Sequence, residues 1–169
     1  MTSANQSIVY SIGHSDHTPE VFLELLRQHG ITTVVDVRSQ PYSRWVPAFN
    51  RETLAQTLAG AGVTYVFMGD SLGGRPADPA LYDAGDPSGR PNYARLAATE
   101  TFRAGIDQLI ALAWRAPTAM MCSEGDYRQC HRALLLTPEL LARGACVMHI
   151  LPDGGTTEAR PEAQQLTLF

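Results

Sequence analysis

The stretch Pro117-Thr118-Ala119-Met120-Met121-Cys122-Ser123-Glu124-Gly125-Asp126-Tyr127-Arg128-Gln129-Cys130-His131-Arg132 decides how the chain is read. Its first part is a short apolar run, its middle is polar and glycine-containing, and the helical spacing of Ala133 to Arg143 follows. That order is a strand, a loop and a helix. In an open α/β sheet, loops at the carboxyl ends of strands are where ligands bind. This one gathers two of the three cysteines, a histidine, two acids and two arginines.

Working outward, Ile8 to Ile12 reads as a first buried strand ending at Gly13-His14-Ser15. Thr18-Pro19 marks an N-cap with proline in the first turn, and Val21, Phe22, Leu25 and Leu26 form one helical face closed by Gly30. Thr32 to Val37 is a second strand. Asn50 caps a short helix through Leu54 and Leu58, and Val63 to Met68 is a third strand. Thr99 to Trp114 has helical spacing, and Cys146 to Leu151 supplies a fifth strand. The alternation predicts one α/β domain over residues 1–152, a mainly parallel five-stranded sheet with helices on both faces. Residues 153–169 read as a flexible polar tail. Between Gly69 and Tyr93 the chain is rich in Gly, Pro, Asp and Ser, and so long a loop is expected to be functional or mobile.

At 169 residues and 44% hydrophobic content the chain builds a core without disulfide staples. All 13 basic residues are arginine, which excludes Schiff-base chemistry and a phosphate-loop lysine. With a net charge of −4, contact with nucleic acid requires a local arginine patch. Met1 to Ser7 lacks the apolar run of a leader, and no stretch is long enough to span a membrane, so a cytoplasmic location is expected.

Chemistry collects at the strand ends. The candidate catalytic residues are Asp36, Glu124, His131 and Cys122. Candidate substrate-binding residues are His14, Ser15, Arg38, Arg44, Trp45, Gly73, Gly74, Arg132 and His149. Cys122 and Arg128 have the Cys-x5-Arg spacing of cysteine phosphatases and persulfide-carrying sulfurtransferases. Glu124 and Asp126 inside that loop oppose the reading, because negative charge raises a thiol pKa and repels phosphate. The weight therefore falls on Glu124, His131 and Arg132, with both thiols read as packing groups. Two arrangements remain open: acid–base groups beside substrate-binding arginines, or a loop tied by buried pairs such as Asp36 with Arg132 or Glu124 with Arg38. Cys122, Cys130, His131 and His149 have poor spacing for a metal site; no cofactor is expected, and a metal is left open. Trp45 beside Arg44 either stacks a base or anchors its loop.

Together these residues resemble a bacterial family catalogued as domain of unknown function 488. The resemblance spans about residues 8 to 151 and rests on several motifs. These are Ser11-Ile12-Gly13-His14-Ser15, Asp36-Val37-Arg38 with Pro41, Ser43-Arg44 and Pro47-Ala48-Phe49, and Leu72-Gly73-Gly74. Phe102-Arg103-Ala104-Gly105, Cys122-Ser123-Glu124 with Cys130-His131-Arg132, and Val147-Met148-His149-Ile150 complete the set. It implies an α/β fold with a site built from these motifs. Arg128 is outside the pattern, whereas Cys130-His131-Arg132 is within it.

The terminal Gln165-Leu166-Thr167-Leu168-Phe169 resembles the pentapeptide by which bacterial repair proteins bind the DNA sliding clamp. Leu166, Leu168 and Phe169 would fill an apolar pocket and Gln165 its polar edge; the alternative is that they pack on the chain's own core. The leading expectation is a nucleotide or nucleic-acid maintenance enzyme recruited to the sliding clamp. A non-catalytic nucleotide-binding module and a cysteine-dependent phosphatase- or sulfurtransferase-like enzyme are the alternatives.

Overall fold

The computed structural model describes residues 5–161. Six strands run in the order β3-β2-β4-β1-β5-β6: β1 is Ile8–Gly13, β2 Thr33–Asp36, β3 Thr64–Phe67, β4 Thr118–Cys122, β5 Cys146–Ile150 and β6 Thr156–Glu158. The first five are mutually parallel and β6 is antiparallel to β5. The expected count of five strands is therefore corrected to six. The added strand is Thr156-Thr157-Glu158, within the stretch read as a tail. Its three side chains are exposed, so it has no apolar alternation to betray it, and only backbone pairing to Met148–Ile150 makes it a strand.

Helices cover both faces. α1 (Pro19–Gln28) and α2 (Arg51–Gly60) lie on one side, packing Phe22, Leu25, Leu26, Leu54 and Leu58 with Ile12, Val34, Ala119 and Met121. α5 (Glu100–Arg115) covers the other, packing Phe102, Ile106 and Leu109 with Val9, Val35, Met120 and Val147. Each fully buried side chain of this size contributes roughly 1.5–3 kcal/mol. Strand periodicity sorts the residues: Ala119 and Met121 point to the first face, Met120 and Cys122 to the second. Caps fix the helix starts. Thr18 Oγ1 accepts from Val21 N at 3.2 Å and Thr99 Oγ1 from Phe102 N at 3.3 Å. Asn50 precedes α2, but its side chain accepts from Ser43 N at 2.7 Å rather than capping the helix.

The long loop after β3 holds two short helices, α3 (Gly69–Leu72) and α4 (Tyr93–Ala97). After β4 and its loop, the chain makes a π-helical turn over Arg132–Leu136 before α6 (Thr137–Ala142). Pro138 cannot donate to the carbonyl four residues back. The ladder is widened instead, and Thr137 N bonds to the Arg132 carbonyl.

β4 is inserted between β1 and β2, its sequence predecessors by more than eighty residues. Its carboxyl end thus projects into the crevice between two earlier strand ends. Gly13 stands opposite Cys122 and Asp36 opposite Met121, and the ladder continues through His14 N to Cys122 O and Val37 N to Met121 O.

Candidate functional site

At this strand end lies a cleft of about 660 Å³, lined among others by Arg38, Arg75, Arg90, Glu124, Cys130 and His131. Cys130 Sγ is 2.8 Å from Cys122 Sγ, and all three cysteines are free. Arg132 lies beneath the pair, with no solvent exposure. Its Nε donates to Cys122 Sγ at 2.9 Å, Nη1 to Ser11 Oγ at 2.9 Å and Nη2 to the Glu124 carbonyl at 2.6 Å. Ser11 Oγ also lies 2.7 Å from His149 Nδ1, and its own hydrogen is available to that nitrogen. Tyr127 stacks on His149 with ring centroids 4.0 Å apart. Burial, and then the nearby guanidinium, lower the His149 pKa to about 4.

Strand parity explains why these groups meet. Ser11, Cys122 and His149 share a sheet face with Val9, Met120 and Val147, the face against which the π turn is laid. Asp36 alternates with Val35 and points to the opposite face, so the expected Asp36–Arg132 pair does not form. Asp36 is instead sealed by Arg38, whose Nε and Nη2 donate to it at 2.9 and 2.8 Å, and by the Tyr65 hydroxyl at 2.6 Å. Burial, and then Asp36, hold the Tyr65 pKa well above the usual phenol range. The Glu124–Arg38 pair is likewise not formed: Arg38 is committed to Asp36 and to the Phe49 carbonyl, while Glu124 lines the cleft.

His131 sits beside the sulfurs. Its Nε2–H donates to the Val37 carbonyl at 3.0 Å, because a carbonyl can only accept, and this leaves Nδ1 facing Cys130 Sγ at 3.5 Å. Gly74 permits the arrangement, since a Cβ there would lie 2.9 Å from the imidazole Cγ. Charge on the two thiols is shared: the bond from Cys122, then the neighbouring His131 and Arg132, hold Cys130 well below the ordinary thiol range. Burial, and then Cys130, push Cys122 above it. The opposite directions favour the proton on Cys122 and the negative charge on Cys130.

The remaining sequence candidates scatter. Arg128 faces outward and pairs with Asp126, so the Cys-x5-Arg spacing is not realised; the arginine that reaches sulfur is Arg132. His14 is buried and stacked on Phe49, with burial lowering its pKa to about 4, and Ser15 takes a left-handed φ of 49° beside it. Gly73 packs against Ser39. Trp45 is 79% exposed, with the Arg44 guanidinium 4.6 Å over its ring, so it anchors nothing and lies outside the cleft lining. Among the described residues no group of three or more His, Cys, Asp or Glu is arranged to hold a metal ion, and no helix is long and apolar enough to cross a membrane. Gln165, Leu166, Leu168 and Phe169 lie outside the described residues.

Three residues of the cleft lining, Cys130, Arg75 and Arg90, stand outside the sequence candidates. Cys130 reads as a packing group from its spacing, and the signal that sets it apart is the adjacent Cys130-His131 dipeptide, a thiol beside a base. Arg75 and Arg90 were visible too: the tripeptide Gly-Arg-Pro occurs at Gly74–Pro76 and again at Gly89–Pro91, bringing an arginine to the cleft from each end of the loop. Among the described residues neither forms a salt bridge.

No curated protein and no solved structure matches the chain. The family model described as Domain of unknown function DUF488 matches residues 18–137, which carry Arg38, Gly74, Cys122, Glu124, Cys130, His131 and Arg132. The chain belongs to that family.

Proposed function

We propose that the protein is a cysteine-dependent enzyme acting on a phosphate-bearing anion, with a nucleotide or nucleic-acid component the class that fits best. The carrying observation is the line from Cys130 Sγ to His131 Nδ1 and from His131 Nε2 to the Val37 carbonyl, at the floor of a cleft with arginines on its walls. A nucleophile within reach of a base, with the base oriented by a third group, is the arrangement that covalent catalysis requires. Thiolate is the attacking form. Cys130 gives its proton to His131 Nδ1 as it becomes the thiolate; the thiolate lone pair forms the bond to the electrophilic atom, the pair from the broken bond leaves with the leaving group, and the proton held on Nδ1 passes to that group.

Arg75 and Arg90 suit a phosphate, which takes bidentate contacts from guanidinium. Tyr93 offers a face for a base and Glu124 an acceptor for its N–H groups. Asp36, enclosed with Arg38 and Tyr65, serves as scaffold in this reading.

The test is alkylation of Cys130 by iodoacetamide, followed by mass spectrometry with and without nucleoside phosphates. A nucleoside phosphate is expected to slow alkylation several-fold, an uncharged nucleoside is not, and Arg75→Ala/Arg90→Ala is expected to lose the protection. Rates indifferent to every phosphate-bearing ligand would remove the reading.

A second reading, recruitment to the DNA sliding clamp, is favoured by the sequence Gln165-Leu166-Thr167-Leu168-Phe169. Deleting residues 165–169 is expected to abolish binding to purified clamp, and unchanged affinity would sink it.

A further inference from the structure

The two sulfurs on the cleft floor stand in different surroundings. Cys130 begins the segment leading into the π turn and faces His131, whereas Cys122 ends a central strand and is held by Arg132 Nε from behind. Both line the same cleft. A single nucleophilic cysteine needs no second sulfur at 2.8 Å, and a packing cysteine needs no guanidinium. Closing a bond between the pair requires an approach from 2.8 Å to about 2.05 Å, a shift of less than about 1 Å.

We infer that Cys122 is a second catalytic thiol that resolves an adduct on Cys130, and that the bond broken in the substrate is the sulfur–sulfur bond of an anionic disulfide. This rests on the reading of Cys130 as the nucleophile. The Cys130 thiolate attacks one sulfur of R–S–S–R′, forming Cys130–S–S–R and expelling R′–S⁻. Cys122 then attacks Cys130 Sγ, forming the Cys122–Cys130 disulfide and expelling the second thiol, which takes the proton Cys122 gives up. The substrate gains two electrons and the protein dithiol loses them. A low-molecular-weight monothiol restores the dithiol by exchange, leaving as its own disulfide.

The order of the steps is built into the site. While Cys130 is a thiolate, burial and then its neighbour's charge keep the proton on Cys122. Once Cys130 is capped by a neutral sulfur, that charge and that hydrogen bond are gone. Arg132 is left facing Cys122 alone and favours its thiolate. The resolving thiol is thereby released to react only after the first has been used. Arg75 and Arg90, which line the cleft and form no salt bridge among the described residues, select a substrate with negative charge.

Dithiodipyridine serves as the probe disulfide, in a Cys146→Ser background so that only the pair reports. The parent is expected to release two thiopyridones per chain. Because Arg128 lies between the two cysteines, trypsin separates them unless they are joined, so a linked pair of tryptic peptides identifies the disulfide. Cys122→Ser should stop at one thiopyridone, with the mixed disulfide on Cys130, and Cys130→Ser should react about tenfold more slowly or worse. A parent that also stops at the mixed disulfide on Cys130 would overturn the resolving role while leaving Cys130 as the nucleophile. A Cys130→Ser variant as fast as the parent would overturn both.

Discussion

Arg132 Nε lies 2.9 Å from Cys122 Sγ, and among the described residues no carboxylate comes within salt-bridge distance of that fully buried guanidinium. An arginine cannot shed its proton, and the thiol pair, with Cys130 held below the ordinary thiol range, is the group placed to offset it. The dependence is unequal, because the thiols can take up a proton when the arginine is removed. Arg132→Met is therefore expected to cost about 1–3 kcal/mol and to move the thiol alkylation profile up toward the ordinary value near 8.5. Cys122→Ser/Cys130→Ser strands the cation and is expected to cost more, about 3–5 kcal/mol. Urea denaturation of the two variants checks the order; the reverse order would show that the pair is not ionised.

Gly74 holds the loop against His131. In Gly74→Ala the new Cβ, 2.9 Å from the imidazole Cγ, must displace the ring from Cys130 or the loop from the ring. Alkylation of Cys130 near neutral pH is expected to slow by about tenfold, the loss of one positioned base. Thermal stability should fall by no more than about 1–2 kcal/mol, since the residue sits at an open cleft. An unchanged alkylation rate would show that His131 does not activate the thiol.

His14 and His149 are both buried and held neutral, each with its pKa lowered from 6.5 to about 4. As pH falls through 6.5 the unfolded chain takes up these protons and the folded chain does not. The stabilisation is therefore full above about pH 6.5, declines below it and is gone near pH 4. Each residue contributes up to roughly 3 kcal/mol across that window. His149→Asn, which keeps an acceptor for the Ser11 hydroxyl, should remove about half of the slope. Urea midpoints measured from pH 7 to 4 test this, and an identical slope in the variant would exclude His149 as a source.

Much of the scaffold was legible because its strands are apolar on both faces. Val34-Val35 and Ala119-Met120-Met121 bury alternate residues against different helices, and a run without polar interruption is what that demands. The strand order was not legible, since nothing in Thr118–Cys122 states that it enters between β1 and β2. With that order missing, Asp36 and Arg132 looked like partners, although parity sets them on opposite faces of the sheet. β6 was hidden by its polarity. The thiol pair was hidden differently: the turn from Ser123 to Gln129 folds Cys130 back onto Cys122, a closure that a spacing alone does not express.

The π turn gives the site its phase. One residue more than an α-helical turn requires is accommodated over Arg132–Leu136, just where Cys130, His131 and Arg132 join a helix that Leu136 and Leu140 hold to the core. Deleting a single residue from that turn would let the helix close as ordinary α and leave Leu140 seated. It would rotate everything before the turn by about 100°, carrying Cys130, His131 and Arg132 away from β4 in one movement. In this chain the chemistry is keyed to the scaffold by a single surplus amino acid.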